Sequence, residues 1–196
     1  MSTTPAESGT RGRTRRAIVS AAATVLARDR TATLAEIAQA AEVGRSTLHR
    51  YFADRDELVR AAVVDSLELV EQAVLGAAVD EGPVVDAMRR LVTALVATGD
   101  RLLFAFGDLS LIEELPEYDD RSERLVIDLI ERGQAEGVFD PVVPAVWIMN
   151  TVWAMVYTGA EAAQQGTVPQ HGVTAHVIRT LEGGIRQSEA GTSPAR

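Results

Sequence analysis

An all-α fold is predicted by three features of the 196-residue sequence. Apolar residues recur at helical spacing in almost every segment. Alternating β-branched runs and two-residue hairpin turns, which indicate strands, are scarce. Capping pairs that start helices occur at Thr33 with Glu36 and at Asp54 with Glu57. We therefore expect about nine helices, three in an N-terminal module and the others in a larger helical body.

The N-terminal module is predicted to begin with two helices and a turn. Residues 13–28 carry an apolar stripe that includes Ile18 and Leu26, and arginines cluster at the start of this helix. The sequence TLAEIAQAA predicts a helix of about eight residues whose N-cap is Thr33. Because glycine favours turns, the following EVG, residues 42–44, predicts a three-residue turn.

The segment after this turn, RSTLHRYF, predicts a second short helix over residues 45–52. Leu48 and Phe52 are four residues apart and therefore share its inner face. A long helix is expected to follow from Arg55 to about Leu75. Two short helices joined by a three-residue turn that contains glycine match the helix-turn-helix pattern.

The remaining residues are predicted to form a helical body. Gly82 and Pro83 mark the change from the long helix to this part of the chain. Further helices are predicted over residues 84–98, 99–115 with a break at Gly107, 117–134, 144–163 and 173–186. Residues 1–10 and 188–196 are predicted to be disordered tails.

Net charge differs between the N-terminal module and the body. Residues 11–60 hold ten arginines and six acidic residues, a balance of +4, whereas residues 61–196 hold nine arginines and twenty-one acidic residues, a balance of −12. The whole chain carries −9 and contains no lysine. Such asymmetry predicts that the basic module meets a polyanion, which the acidic body would repel.

The outer side of residues 45–52 carries side chains suited to the DNA major groove. Arginine binds guanine bidentately, and serine and threonine hydrogen-bond several base edges. The predicted recognition face consists of Arg45, Ser46, Thr47, His49, Arg50 and Tyr51. Arg55 and the arginines at positions 11, 13, 15 and 16 have the chemistry of phosphate contacts. A charged face that is merely solvated is the competing interpretation.

A catalytic or metal-binding role for His49 is the other alternative. Only two further histidines, His171 and His176, occur in the chain, and cysteine is absent. Disulfides and cysteine-based zinc sites are therefore excluded. We find no nucleophile–base pair, phosphate loop or metal-ligand spacing. The sequence predicts a protein that is not an enzyme and that uses no metal and no cofactor.

A cytoplasmic location without membrane insertion is predicted. The first twelve residues are polar and lack the apolar core of a signal peptide. Residues 141–160 contain no charge and are long enough to span a bilayer. Two prolines and Asn150 interrupt this stretch, however, so that a buried core or interface helix is the expected reading.

Residues 13–60 resemble the N-terminal domain of the TetR family of transcriptional regulators. The segments that carry the resemblance are AIVSAAATVLA and ATLAEIAQAAEVGRSTLHRYFADRDELV. The positions that match the family pattern are Val43, Thr47, Leu48, Phe52, Glu57 and Leu58. Arg55 stands where lysine is usual. The departures are Glu42 for glycine, Gly44 for serine, His49 for tyrosine and Tyr51 for histidine.

The resemblance implies a DNA-binding domain over residues 11–60 and a helical effector-binding and dimerisation domain over residues 61–187. It also implies a homodimer that binds a palindromic double-stranded DNA operator, usually as a repressor, and that an unidentified small-molecule effector releases. The expected DNA contacts are Thr33, Arg45, Ser46, Thr47, His49, Arg50, Tyr51 and Arg55. Whether His49 or Tyr51 contacts a base is left open.

Aromatic and polar side chains of the body are candidate effector contacts, because ligand pockets combine apolar walls with a few polar groups. The candidates are Phe104, Phe106, Trp147, Asn150, Thr151 and Tyr157. Ordinary core packing is the competing interpretation. Along residues 173–186, an apolar stripe is a candidate dimer surface. It consists of Val173, Val177, Leu181 and Ile185, with Gly183 and Gly184 allowing close approach.

Two other functions stay open at this point. The chain could be an all-helical small-molecule-binding protein or enzyme that uses its N-terminal module for protein contact. It could also be a DNA-binding protein without an effector, in which case the body would be packed throughout.

Overall fold

Residues 9–107 and 121–185, which the computed structural model describes, form nine α-helices and one short 3-10 helix. These residues contain no β-strand. The α-helices are α1 (Thr10–Arg28), α2 (Leu34–Ala40), α3 (Arg45–Tyr51), α4 (Arg55–Gly76), α5 (Val84–Ala97), α6 (Gly99–Phe106), α7 (Arg121–Ala135), α8 (Ala145–Gln164) and α9 (Val173–Ile185). The all-α prediction is thus confirmed.

Most predicted helix bounds agree with the structure within three residues. Helix α1 begins at Thr10, earlier than predicted, and α6 ends at Phe106, directly before the predicted break. The 3-10 helix Gln170–Gly172 was not predicted. The predicted tails, residues 1–10 and 188–196, lie outside the described residues except for Gly9 and Thr10, as do residues 108–120.

The described chain forms two compact units. The first contains α1, α2, α3, the part of α4 up to Leu69 and, from later in the chain, α6 from Asp100 onward. The second contains the rest of α4 together with α5, α7, α8 and α9. The boundary at residue 60, predicted on functional grounds, stays a prediction.

The core of the first unit joins residues that are far apart in the sequence. Its buried side chains include Ile18, Leu26, Ile37, Leu48, Phe52, Leu58 and Phe104. Leu48 and Phe52 are both fully buried, as their shared inner face predicts. Phe104 and Ala105 belong to the same cluster, so α6 completes the core around which the three N-terminal helices pack.

Two arginines attach α6 to the rest of the first unit. Arg101 pairs with Asp65 at 2.9 Å and donates to the backbone and side-chain oxygens of Ser20. Arg30 donates through Nη2 to the carbonyl oxygens of Phe104, at 2.8 Å, and Leu103, at 3.3 Å. These carbonyls end α6, where the helix dipole favours a cation.

Glycines allow close helix contacts in the second unit, where α9 packs on α5 and α8. A Cβ at Gly159 would lie 2.6 Å from Val173 Cγ1, so this position of α8 accepts only glycine without a shift. The ring of Phe139 lies against Gly133, whose carbonyl accepts from the amides of Val138 and Phe139.

The stripe proposed as a dimer surface on α9 is buried within its own unit. Val173, Val177, Leu181 and Ile185 are between 1% and 7% exposed. They pack against neighbouring helices of the same chain, and so that interpretation was wrong. Gly183 and Gly184, which were expected to allow close approach, are exposed.

Candidate nucleic-acid interface

Helix α3 presents its polar side to solvent because its apolar side is held in the core. Leu48 and Phe52 are 0% exposed, and this burial fixes the rotation of the helix. The side chains of Arg45, Ser46, His49 and Arg50 are exposed, and those of Thr47 and Tyr51 are half-buried. The structure therefore brings together the six residues of the predicted recognition face on one short helix.

Aromatic rings support two of the basic side chains. The guanidinium of Arg50 lies 5.5 Å from the centre of the Tyr51 ring. That of Arg15, on α1, lies 5.2 Å from the Phe52 ring. Arginine over an aromatic face is attracted to the ring while its outer N–H groups stay available. Both guanidinium groups are thus oriented without the loss of their hydrogen-bonding capacity.

The turn between α2 and α3 contains a strained residue. Glu42 has a φ of 55°, in the left-handed region that glycine occupies at little cost. Its amide donates to the carbonyl of Gln39 at 3.0 Å, and the amide of Val43 donates to that of Ala38 at 3.0 Å. This backbone geometry explains why the resembling family has glycine here. The Glu42 side chain is exposed, so a negative charge lies three residues before Arg45.

Thr33 caps α2 as predicted. Its hydroxyl accepts from the Glu36 amide at 3.3 Å and donates to Glu36 Oε2 at 2.8 Å, while its own amide donates to Oε2 at 2.7 Å. The backbone bond from Thr33, followed by the hydroxyl bond, lowers the pKa of Glu36. The pair starts α2 firmly and leaves Thr33 at the exposed beginning of the helix.

A similar arrangement starts α4, with one difference. The Glu57 amide donates to Asp54 Oδ1 at 2.8 Å, which confirms Asp54 as a cap. The Glu57 carboxylate accepts from the amide of Ala53 at 2.8 Å and not from that of Asp54, so the pair predicted from the sequence does not close a capping box.

Arg55 has structural contacts that the sequence did not reveal. Its guanidinium donates to the carbonyl oxygens of Arg30, at 2.6 Å, and Ala32. The side chain thereby holds the loop between α1 and α2 to the start of α4. Any phosphate contact by Arg55 has to coexist with these bonds.

The six candidate effector contacts are divided between the two units. In the first unit, Phe104 is 3% exposed, with Arg30 5.6 Å from its ring centre, and Phe106 is 39% exposed. In the second unit, Trp147 is 66% exposed. Helix α8 also carries the other three candidates, Asn150, Thr151 and Tyr157.

The α8 candidates differ in their exposure to solvent. Asn150 is exposed, so it needs no buried partner, and Thr151 and Tyr157 are half-buried. The Thr151 hydroxyl donates to the carbonyl of Trp147 at 2.8 Å. The inner side of α8 is formed by Ile148, Met149, Val152 and Val156 instead.

A shallow apolar cleft in the second unit was missed by the sequence reasoning. Its walls come from α5, α9 and Phe139, and include Met88, Val92 and Leu181. Arg89 and Glu182 form an ion pair of 2.6 Å among the lining residues. The apolar stripes of α5 and α9 in the sequence indicated that these helix faces are buried, but they did not indicate that a cleft is left between them. None of the six candidate effector contacts lines it.

Two negative findings concern the described residues. Among residues 9–107 and 121–185, no group of three or more histidine, cysteine or acidic side chains is placed to hold a metal ion. Across the same ranges, no helix combines the length and apolar character that a membrane span requires.

Comparisons with known proteins agree with this architecture. Residues 18–62 match the family model described as bacterial regulatory proteins, tetR family. The HTH-type transcriptional repressor LfrR of Mycolicibacterium smegmatis is 38% identical over 181 residues, which cover 91% of this chain and 94% of that protein.

Solved structures give the same result. The TetR-like transcriptional regulator LfrR from Mycobacterium smegmatis, in complex with proflavine, has a TM-score of 0.72 and 33% identity and covers 92% of this chain and 100% of its own. The ketosteroid transcriptional regulator KstR2 of Mycobacterium tuberculosis shares the fold at 15% identity, with a TM-score of 0.70 and coverage of 93% and 98%. These relatives are transcriptional regulators rather than enzymes. The chain belongs to the TetR family of bacterial transcriptional regulators.

Proposed function

We propose that this regulator is a repressor that binds a palindromic operator as a homodimer through α3 and is released by a small molecule. The observation that carries this proposal is the recognition face. Four polar side chains of α3 are exposed above a fully buried Leu48 and Phe52, in a module of net charge +4. A short helix held in this way suits the major groove.

The side chains of the recognition face have distinct proposed roles. Arg45, at the start of α3, and Arg50 are suited to bidentate contact with guanine, and Ser46 and Thr47 to other base edges. His49 and Tyr51 also contact the DNA. Thr33 and Arg55 contact phosphates, which position the protein without reading sequence.

The proposed effector is a planar aromatic cation. The support is the likeness to LfrR, which has been solved with proflavine, together with the balance of −12 over residues 61–196. Acidic and aromatic side chains both attract such a cation. The candidate contacts for this cation are the α8 side chains Trp147, Asn150, Thr151 and Tyr157, since Phe104 and Phe106 belong to the first unit and Phe104 is buried in its core.

An exposed apolar patch supports a homodimer. At the start of α8, Val142 is 86%, Val146 is 51% and Trp147 is 66% exposed. Large apolar side chains exposed close together in the chain are candidates for an interaction site. A second copy related by a two-fold axis would remove the patch from water, and Trp147 would then lie beside both the partner and the ligand.

Release follows as a shift between two states of the dimer. A dimer that binds DNA holds its two α3 helices about 34–36 Å apart, one turn of the double helix. A ligand that binds better to a dimer with another spacing draws the population away from DNA. The protein acts in the cytoplasm, where its operator lies.

Operator binding is tested by electrophoretic mobility shift on the DNA upstream of its own gene, in increasing salt. Affinity should fall steeply with salt because phosphate contacts release counterions. Arg45→Ala should change the preferred sequence, whereas Arg11→Ala, a matched exposed arginine on α1, should weaken all sequences alike. Absence of a shift at low salt with every genomic fragment would refute the proposal.

Effector binding and dimerisation have separate tests. Proflavine should quench tryptophan fluorescence, and Trp147→Phe should remove most of the quenching while Trp153→Phe keeps it.

The mass in solution should be twice the 21.0 kDa of one chain. Val146→Asp should halve this mass, and the control Val64→Asp, also exposed but in the first unit, should not. Equal behaviour of the two members of either pair would contradict the assignment.

A further inference from the structure

The loop that follows α4 is held by two arginines of the second unit. Arg90, on α5, donates through Nε to the carbonyl of Ala77 at 2.9 Å. Through Nη2 it donates to the carbonyls of Ala78, at 2.7 Å, and Glu81, at 2.6 Å. One guanidinium group thus bonds both ends of the loop.

Arg132, on α7, binds the two carbonyls in between. Its Nη1 donates to the carbonyl of Asp80 at 2.7 Å and its Nη2 to that of Val79 at 3.0 Å. All five consecutive carbonyls from residue 77 to residue 81 therefore accept a hydrogen bond from a guanidinium group. The Nε atom of Arg132 is buried and has no partner among the described residues. Burying an N–H group without a partner costs free energy, and an apolar side chain at this position would not have that cost. We infer that the two bonds from Arg132 to the loop offset it.

The chemistry of this loop explains why arginine is required. The loop lies at the C-terminal end of α4, where carbonyls lack partners within the helix and the dipole favours cations. Ala78 has a φ of 48°, a left-handed conformation that costs energy in a residue other than glycine. A planar guanidinium binds two carbonyls at once in fixed geometry, which an ammonium group cannot do.

We propose that Arg90 and Arg132 are positioning residues for the ligand response. They fix the C-terminal end of α4 to α5 and α7, so that a ligand-induced shift of either helix moves α4. Helix α4 starts at Arg55, four residues after α3 ends at Tyr51. With 22 residues it is about 33 Å long, since each residue adds about 1.5 Å. The five bonds hold the loop directly after α4, and displacement of this loop is transmitted along the length of the helix.

This inference rests on the proposed DNA binding and ligand release. The test therefore measures three quantities separately: operator affinity without proflavine, proflavine affinity without DNA, and the factor by which saturating proflavine weakens operator binding. A coupling factor of about 5–150 is typical of such systems. Arg132→Met keeps an unbranched side chain that can pack along the same path but removes every donor. This variant should reduce the coupling factor several-fold, towards one. Its operator affinity and its proflavine affinity should each stay within about twofold of the wild-type value.

Two further variants separate positioning from simple loss of structure. Arg132→Lys keeps the charge without the planar fork and should give an intermediate factor. Arg179→Met, an exposed arginine on α9 of the same unit, should leave the factor unchanged. If wild-type protein releases DNA and Arg132→Met releases it by the same factor, the inference is overturned.

If proflavine does not release wild-type protein from DNA, this failure refutes the proposed effector but not the anchoring of α4. Hydrogen exchange of the ligand-free protein then tests the anchoring by itself. Arg132→Met should then accelerate amide exchange over residues 70–76, the last turns of α4, as well as in the loop, whereas Arg179→Met should not. Unchanged exchange over residues 70–76 would overturn the inference independently of any ligand.

Discussion

Replacing Glu42 by glycine should stabilise the protein. A left-handed conformation costs a non-glycine residue about 1–2 kcal/mol, and Glu42 has a φ of 55°. Glycine also gains freedom in the unfolded chain, which opposes this by about 0.4–1 kcal/mol. The expected net gain is about 0.5–1 kcal/mol, which corresponds to a rise in Tm of about 1–4 °C for a chain of this length.

The assay is thermal unfolding followed by circular dichroism, with controls that separate backbone from charge. Glu42→Gln removes the charge but keeps the Cβ, so its Tm should stay close to that of the wild type. Ala78 has a φ of 48°, so Ala78→Gly should raise the Tm as Glu42→Gly does. Gly82→Ala should lower the free energy of unfolding by about 1 kcal/mol, since Gly82 has a φ of 71°. If Glu42→Gln stabilises as much as Glu42→Gly, charge rather than backbone strain is the cause and the reasoning fails.

Three more outcomes follow from the structure. Leu48→Ala should cost about 2–5 kcal/mol in denaturant unfolding, because Leu48 is 0% exposed, and should abolish operator binding; a loss under 1 kcal/mol would contradict tight packing beneath α3. Gly159→Ala should cost about 1–3 kcal/mol, because the new Cβ would lie 2.6 Å from Val173 Cγ1, and an unchanged Tm would show that α8 and α9 separate freely. The bonds from Thr33 lower the pKa of Glu36, so its contribution to stability is present above the ordinary carboxyl pKa and is lost as pH falls through the folded value. Tm measured from about pH 7 to about pH 3 should therefore fall less for Glu36→Gln than for wild type, and parallel curves would contradict this.

Removing the charge of Glu42 should also affect DNA. The side chain lies three residues from Arg45, within about 10 Å along an extended chain, which is comparable to the screening length in physiological salt. Glu42→Gln should therefore strengthen binding to all DNA sequences in a mobility shift. The gain should disappear at high salt, and a gain confined to one sequence would indicate a base contact instead.

Local features of the fold could be predicted from the sequence because their partners are close in the chain. The Thr33–Glu36 capping box spans three residues and is present as predicted. The rotation of α3 followed from Leu48 and Phe52, four residues apart. Helix bounds and the polar face of α3 were therefore accessible from periodicity and capping alone.

Contacts between distant segments could not be predicted in this way. Arg55 binds carbonyls more than twenty positions earlier in the chain, and Arg101 binds Ser20. An arginine in a sequence does not show whether it serves DNA, an acid or a backbone carbonyl. Apolar periodicity likewise marked the α9 stripe as buried but not whether its own chain or a partner covers it.

The membership of α6 in the first unit has a consequence for engineered chimeras. Phe104 and Ala105 complete the core formed by α1, α2 and α3, and Arg30 and Arg101 attach them to it. If the DNA-binding module of one regulator is joined to the body of another at a single point within α4, its core has to pack against the α6 of the other protein. Such a chimera should fold only when residues 100–107 are exchanged together with residues 9–69. The exchanged unit is therefore encoded by two separate segments of the gene.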